Sequence, residues 1–277
     1  MKLLQIELYK IFKRPRTYIS YVIIAAIAFI IQLALYADGD TLVKFMLQGV
    51  PDFVVHGKII NGYFVTYIIL QTLLVNVPLL VALVAGDALA GEANLGTLRL
   101  LLTKPISRSK LVLVKFFASV IYSMTLLIWL AIIGLVLSLL IFGVGDMISF
   151  KSNMVVIMSA NDVVWRYLAA FAFAGIAMTT VASLAIFLSA ITDNAIGPII
   201  GTIGIIIIFT LFSTLGLPLY DSIKPYLFTT HMLAWKGFFY DPVPYSSILT
   251  SALVLLGYIA FFITTTIIYF NRKDITS

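Results

Sequence analysis

The sequence predicts an all-α integral membrane protein, with six transmembrane helices in a single domain over residues 1–277. Three observations predict it. Hydrophobic types make up 62% of the residues and charged types only 11%, whereas soluble chains carry roughly 25% charged residues. The apolar residues fall in six continuous runs rather than the alternating pattern of a membrane barrel. The basic residues are unevenly divided: twelve of 18 lie in segments 1–17, 86–115 and 271–277. In lipid the backbone must satisfy its own hydrogen bonds, so continuous apolar runs fold as helices.

The runs are 18–36, 63–85, 116–142, 167–191, 195–217 and 248–270. Each is long enough to cross a hydrocarbon core of about 30 Å. The fourth and fifth are joined only by Thr192, Asp193 and Asn194. That turn predicts a helical hairpin, with Asp193 or Asn194 as N-cap and Pro198 early in the next helix. The remaining six cations, Lys44, Lys58, Lys151, Arg166, Lys224 and Lys236, mark the other side, so the positive-inside rule places both termini in the cytoplasm. Tyr18, Tyr21, Tyr63, Trp165, Tyr167 and Tyr269 suit interfacial belts. Leu35-Tyr36-Ala37 is a weak cleavage-like triplet. The run before it exceeds a signal-peptide core of about 7–15 residues, so it is read as a retained span.

Residues 1–14 precede the first run. On a helical projection Leu4, Leu8, Ile11 and Phe12 share one side; Lys2, Glu7, Lys10, Lys13 and Arg14 share the other, with Leu3 and Ile6 as exceptions. This predicts an amphipathic helix lying in the cytoplasmic leaflet and ending before Pro15. The plainer alternative is a basic flank that orients the first span. The external loops are 37–62, 143–166 and 218–247. The last is aromatic and proline-rich, which predicts a short re-entrant or interfacial helix rather than coil. A six-span bundle over 18–270 and a cytoplasmic tail over 271–277 complete the division.

Motifs for chemistry are missing. There is no G-x-x-x-x-G-K-[ST], no H-E-x-x-H and no G-x-S-x-G. The chain has no cysteine, which excludes disulfides and thiolate metal sites. His56 and His231 stand in separate loops without a partner at metal-ligand spacing. No catalytic or metal residue is therefore predicted, and a membrane-embedded enzyme lacks its groups. The run interiors contain no Asp, Glu, Lys, Arg or His, which disfavours an ion-coupled carrier. Their polar content is mild, with Gln32, Ser123, Thr125, Thr179, Thr180 and Ser183 as examples. Gln71 and Asn76 precede Pro78 in the second run and are pathway candidates; helix–helix hydrogen bonding is the alternative.

The most informative segment is GEANLGTLRLLLTKPISRSKLVLVKFF, residues 91–117. Gly96 permits a sharp turn. Thr97 is placed to cap a short helix over Leu98–Leu102, with Lys104 near its C-terminal end and Pro105 as its stop. Ser107 is placed to N-cap the third span. Glu92 lies at the exit of the second span, where it is expected to stay hydrated or meet a basic group. Its truncation should then cost little, since an exposed pair is worth about 0–1 kcal/mol. A short helix held between two spans is a lever: whatever grips it moves both. The alternative is a basic loop that only sets topology.

The order Glu92, Gly96-Thr97, a run of leucines, Pro105, Ser107-Arg108 and Lys115 resembles the permease subunits of type-two ABC exporters. The likeness is tightest over 92–115. It extends to the basic N-terminal helix, the six spans and the stretch SIKPYLFTTHMLAW at 222–235, while Asn94 and Lys104 fall where that family varies freely. The resemblance implies a permease subunit in the plasma membrane that couples ATP hydrolysis by a separate ATP-binding subunit to substrate export. Two permeases, identical or not, and two ATPases would form the exporter. This chain would bind no cofactor, since ATP and magnesium would sit on the partner, and no nucleic acid would be involved. Segment 86–115 and the N-terminal helix would contact the ATPase, with Glu92, Gly96, Thr97, Arg99, Pro105 and Arg108 as coupling residues. No cargo is selected, although the apolar spans lean towards amphipathic or lipid-like molecules. The alternative is a non-transporting membrane sensor or scaffold on the same fold.

Overall fold

A computed structural model of the chain describes residues 2–47, 60–102, 106–151, 154–214 and 222–273. His56, Lys58, Lys104 and Pro105 lie outside the described residues, as does the side chain of Arg99. Helix α1 spans Lys2–Lys13. Pro15 opens α2, Pro15–Leu47, whose backbone leaves the helical region at Asp38 (φ −128°, ψ 21°). Asn61 caps α3, Gly62–Ala85, by accepting the Phe64 N–H at 3.0 Å. Through Gly86, α3 continues into α4, Asp87–Asn94. Helix α5, Thr97–Leu102, follows. Ser107 caps α6, Arg108–Ala131, as its position predicts. A π turn at Ile132–Val136 and α7, Leu137–Phe142, continue that rod.

Strands β1, Met147–Lys151, and β2, Met154–Met158, form an antiparallel hairpin. Helix α8, Ala160–Ile191, and α9, Ile196–Thr214, come next. The 3₁₀ segments Lys224–Tyr226 and Leu233–Phe239 flank the short α10, Phe228–Met232. Helix α11, Tyr245–Arg272, closes the bundle.

Six of these rods are long and apolar enough to cross a membrane, so the chain is an all-α, multi-pass membrane protein. An even number of crossings puts both ends on one side. The α3–α4, α6–α7 and α8 rods have 33, 35 and 32 residues. At 1.5 Å per residue they reach about 50 Å, well past a core of about 30 Å. Their ends are where charge can reside, and Asp87, Glu92, Lys115 and Arg166 all lie there, buried.

Helix α8 is the centre, packing on α3, α6, α9 and α11. It is apolar all round, as a surrounded helix should be. Its Ala170, Ala174, Gly175, Ala177, Ala182 and Ser183 let neighbours approach closely. Helix α9 instead turns Ile200, Ile207, Ile208 and Leu211 outwards. Gln32 and Thr66 hold the π turn: Gln32 Nε2 donates to the Ile133 carbonyl and to Ser138 Oγ at 2.9 Å, and Thr66 Oγ1 donates to the Gly134 carbonyl at 2.9 Å. A π turn frees carbonyls from the α ladder, and these side chains take them up.

The far end differs from the sequence expectation in three respects: α2 runs on past Asp38 to Leu47, into the expected loop 37–62, and two further differences lie in 143–166. Loop 143–166 contains the β hairpin, with Met147 opposite Met158 and both buried. The fourth span also begins at Ala160, well before Tyr167. The helix can extend because Arg166 is satisfied: Asp162 accepts from its Nη2 at 2.6 Å, and the carbonyls of Phe238 and Tyr240 accept from its Nη1 at 2.9 and 2.8 Å. Those carbonyls end the 3₁₀ segment, so the cation sits where a helix terminus is negative. The segment before the last span is helical, as expected, and buries Phe228, Trp235 and Phe239.

Candidate functional site

The charged residues of the N-terminal end converge at the junction of α1, α4 and α6. Glu7 and Lys10 lie three residues apart on α1, one helical turn. Lys10 Nζ is 2.7 Å from Glu7 Oε1 and 2.8 Å from Glu92 Oε1 on α4. Lys115 Nζ on α6 is 3.0 Å from Glu7 Oε2 and 2.8 Å from Glu92 Oε2. The four groups close an alternating ring of two carboxylates and two ammoniums. Beside it Asp87 accepts from both Arg14 and Arg16. Lys115 is 2% exposed, Asp87 4%, and Glu7 and Glu92 5% each, so these charges are withdrawn from water and held by one another.

Burial pushes the Glu7 carboxyl up, but Lys115 and Lys10 outweigh it and hold the carboxyl below its usual range. Burial pushes Lys10 down, while Glu7 and Glu92 outweigh that and raise it. Both groups are thus locked in the charged form around neutral pH.

This corrects two expectations. The polar side of helix α1 is not wholly turned to solvent: Lys2 and Lys13 are exposed, but Glu7 is buried, while Ile6 and Tyr9 are 50% and 63% exposed. Ile11 and Phe12 do pack on the core, Leu4 and Leu8 are half-buried, and Glu7 is tolerated beside them because Lys115 supplies its countercharge. Glu92 is likewise buried rather than hydrated. Sequence reading missed Glu7, Lys10, Asp87 and Lys115 as partners. The available signal was the pair of acids, Asp87 and Glu92, in a stretch otherwise rich in cations.

The rest of the segment is fixed from both sides. Ser189 Oγ on α8 accepts the Leu89 and Ala90 N–H groups at 3.1 and 2.9 Å, capping α4 from another helix. Gly96 ends α4 with φ of +68°, and its N–H donates to the Ala93 carbonyl at 2.9 Å. Thr97 is the first residue of α5, and its hydroxyl donates back to the Glu92 carbonyl at 3.2 Å. Leu98 is buried, whereas Leu95, Gly96 and Thr97 are exposed. Arg108 Nη1 donates to the carbonyls of Phe270, Asn271 and Lys273 at 3.2, 3.2 and 2.7 Å, capping the C-terminus of α11. Lys273 Nζ donates to the Ala190 carbonyl at 3.0 Å and pairs with Asp193 at 2.7 Å. Asn194, not Asp193, caps the turn into α9, accepting the Ile196 N–H at 3.0 Å.

Of the coupling candidates, then, Glu92 and Arg108 face inwards and Gly96 and Thr97 face outwards. Of the pathway candidates, Asn76 lines a cavity of about 300 Å³ between α3, α8 and α9, and Gln71 is not in its wall. Asn76 Nδ2 donates to the Thr72 carbonyl at 2.8 Å. His231 is bound to Ser251 and to the Pro225 carbonyl. No His, Asp, Glu or Cys cluster suited to a metal occurs among the described residues.

A helical bundle with buried charge confined to its ends defines a multi-pass membrane protein. The chain belongs to DUF2705, a family described as protein of unknown function, whose profile matches residues 22–276. That match takes in the α4–α6 junction but not α1. No curated protein matches the chain.

Proposed function

We propose that this protein is the membrane-spanning permease of an ATP-driven exporter in the plasma membrane, working with a separate ATP-binding subunit and a second permease. The reading rests on the α4–α5–α6 junction. Its stretch from Glu92 to Lys115 resembles that of type-two ABC permeases, and it has the mechanics of a lever. Gly96 detaches α5 from α4, Leu98 seats α5 on the bundle, and the Glu7–Lys10–Glu92–Lys115 ring ties both neighbouring rods to α1. A force on α5 is passed to the second and third spans through buried ion pairs, which resist separation because a lone buried charge costs about 3–5 kcal/mol. The excess of cations at this end favours a cytoplasmic location for both termini.

Two measurements test the reading. Single cysteines at Leu95, which is 66% exposed, and at exposed Ser222 report sidedness: an impermeant thiol reagent should label position 222 and not 95 in intact cells. Co-purification with a candidate ATP-binding subunit should then yield ATP hydrolysis that the isolated chain lacks. A purified chain that hydrolyses ATP alone, or one that recruits no ATP-binding subunit, overturns it; a sensor on the same fold predicts recruitment without efflux of any cargo.

A further inference from the structure

The cavity holding Asn76 lies beneath the segment α10 and 233–235, and it is walled by α3, α8 and α9. Its wall is almost wholly apolar. Among the described residues, no charged side chain and no histidine lines it. Residues at its rim, Val75 on α3 and Ile207 and Leu211 on α9, are each about half exposed on the lipid-facing surface. The cavity therefore opens sideways towards the bilayer.

Besides Asn76 and Thr210, two polar features of this mostly apolar wall bear on what it can bind. Thr229 is 5% exposed, and its hydroxyl has no hydrogen-bond partner among the described residues. A buried, unsatisfied hydroxyl costs about 1–3 kcal/mol, so a polar group placed in the cavity beside Thr229 would be favoured. Pro78 has no N–H, so the carbonyl of Leu74, also in the wall, lacks its helical donor.

We propose that this cavity is a binding site for a neutral, single-chain amphipath whose hydroxyl or ester head pairs with Thr229. Three considerations select that class. The described wall offers no charged side chain, so an ionised head would be stranded in low dielectric. A volume of about 300 Å³ is at the small end of ligand sites, which suits one acyl chain rather than two. The Thr229 hydroxyl both donates and accepts, so it suits an ester or an alcohol. Access from the lipid side lets the chain slide in without crossing water. The site stands on its own geometry and does not depend on the export reading, since binding requires no ATP-binding subunit.

Trp235 is in the wall and supplies the readout. In a Trp129→Phe, Trp165→Phe background, Trp235 is the remaining tryptophan. The protein, reconstituted in unbrominated lipid, is titrated with a monoacylglycerol carrying a dibrominated stearoyl chain, which quenches indole fluorescence on contact. The expected result is saturable quenching that unbrominated monoacylglycerol reverses. Thr229→Val keeps the shape and removes the hydroxyl, and should weaken binding about five- to tenfold, the worth of one neutral hydrogen bond. Thr229→Ser should restore it. Val75→Phe, at the lipid-facing rim, should weaken binding without disturbing the core. A single-chain phosphate of equal length should compete at least tenfold less well. Quenching that rises linearly without saturation, equal affinity in Thr229→Val, or equal competition by the charged chain would each overturn the proposal.

Discussion

Lys115 Nζ lies 2.8 Å from Glu92 Oε2 and joins the entry of the third span to the end of the second. Lys115 is 2% exposed, so the pair acts in low dielectric, where each charge is balanced by the other. Such a pair adds little net stability over apolar packing, yet breaking it strands a charge. The ring is therefore a device that fixes position.

Glu92→Ala should destabilise the protein substantially, by about 3–5 kcal/mol, because Lys115 and Lys10 lose a shared partner. A large fall in the thermal unfolding temperature of purified protein is expected, with Lys115→Met in the same chain recovering part of it. Strictly additive effects of the two substitutions in a double-mutant cycle would remove the ring from the account. The low cost expected of an exposed Glu92 does not hold for the buried one.

Docking of α1 should depend on pH through both of its ring members. Glu7 is held below its ordinary 4.5, so its contribution is present above that value and lost as pH falls through the lower folded value. Lys10 is held above its ordinary 10.5, so its contribution is present below that value and lost as pH rises through the higher folded one. Amide exchange of residues 2–13, corrected for intrinsic rate, should show level protection from pH 5 to 10 and a fall in strong acid. Glu7→Gln should flatten the acid limb. An unchanged acid limb in that variant would show that other groups set it.

Much of this was legible in the sequence, and the reasons for the remainder are physical. The six crossings were readable because lipid imposes continuous apolar runs. Ser107 and Gly96 were readable because caps and positive-φ turns demand particular residues. The ring was not. Glu7 and Lys115 are 108 positions apart, and only the packing of α1 on α6 brings them together. The start of α8 was misplaced for a similar reason: Arg166 is acceptable in a buried helix only because carbonyls of Phe238 and Tyr240, far along the chain, surround it. The unsatisfied Thr229 hydroxyl carries no mark in sequence at all.

Arg108→Ala should loosen the end of the last span. Its guanidinium reaches three carbonyls at the C-terminus of α11, and their loss should cost about 1–2 kcal/mol. Arg108→Lys should recover only part of it, since one ammonium cannot reproduce a planar fork. Faster amide exchange over residues 268–273, with α1 unaffected, is the expected signature. If exchange there is unchanged while recruitment of an ATP-binding subunit falls, Arg108 acts at the partner surface and not as a cap.

The last prediction isolates the lever. Gly96 adopts φ of +68°, and a Cβ placed there meets nothing within 4 Å. Space is therefore no obstacle; the obstacle is the backbone conformation, which costs a β-branched residue about 1–3 kcal/mol. Gly96→Val should spend that cost at the turn between α4 and α5, by shifting α5 from its seat on Leu98. The spans and the ion ring are untouched, so membrane abundance and the main unfolding transition should change little. Gly96→Asn should behave almost like the parent, because asparagine tolerates the left-handed region. Under the export reading, Gly96→Val lowers recruitment of the ATP-binding subunit or leaves hydrolysis uncoupled from efflux, and Gly96→Asn restores both. A loop that only sets topology predicts that all three proteins behave alike. Measuring abundance, recruitment and efflux in the same membranes separates the two. Normal efflux in Gly96→Val at normal abundance would take the coupling role away from this turn.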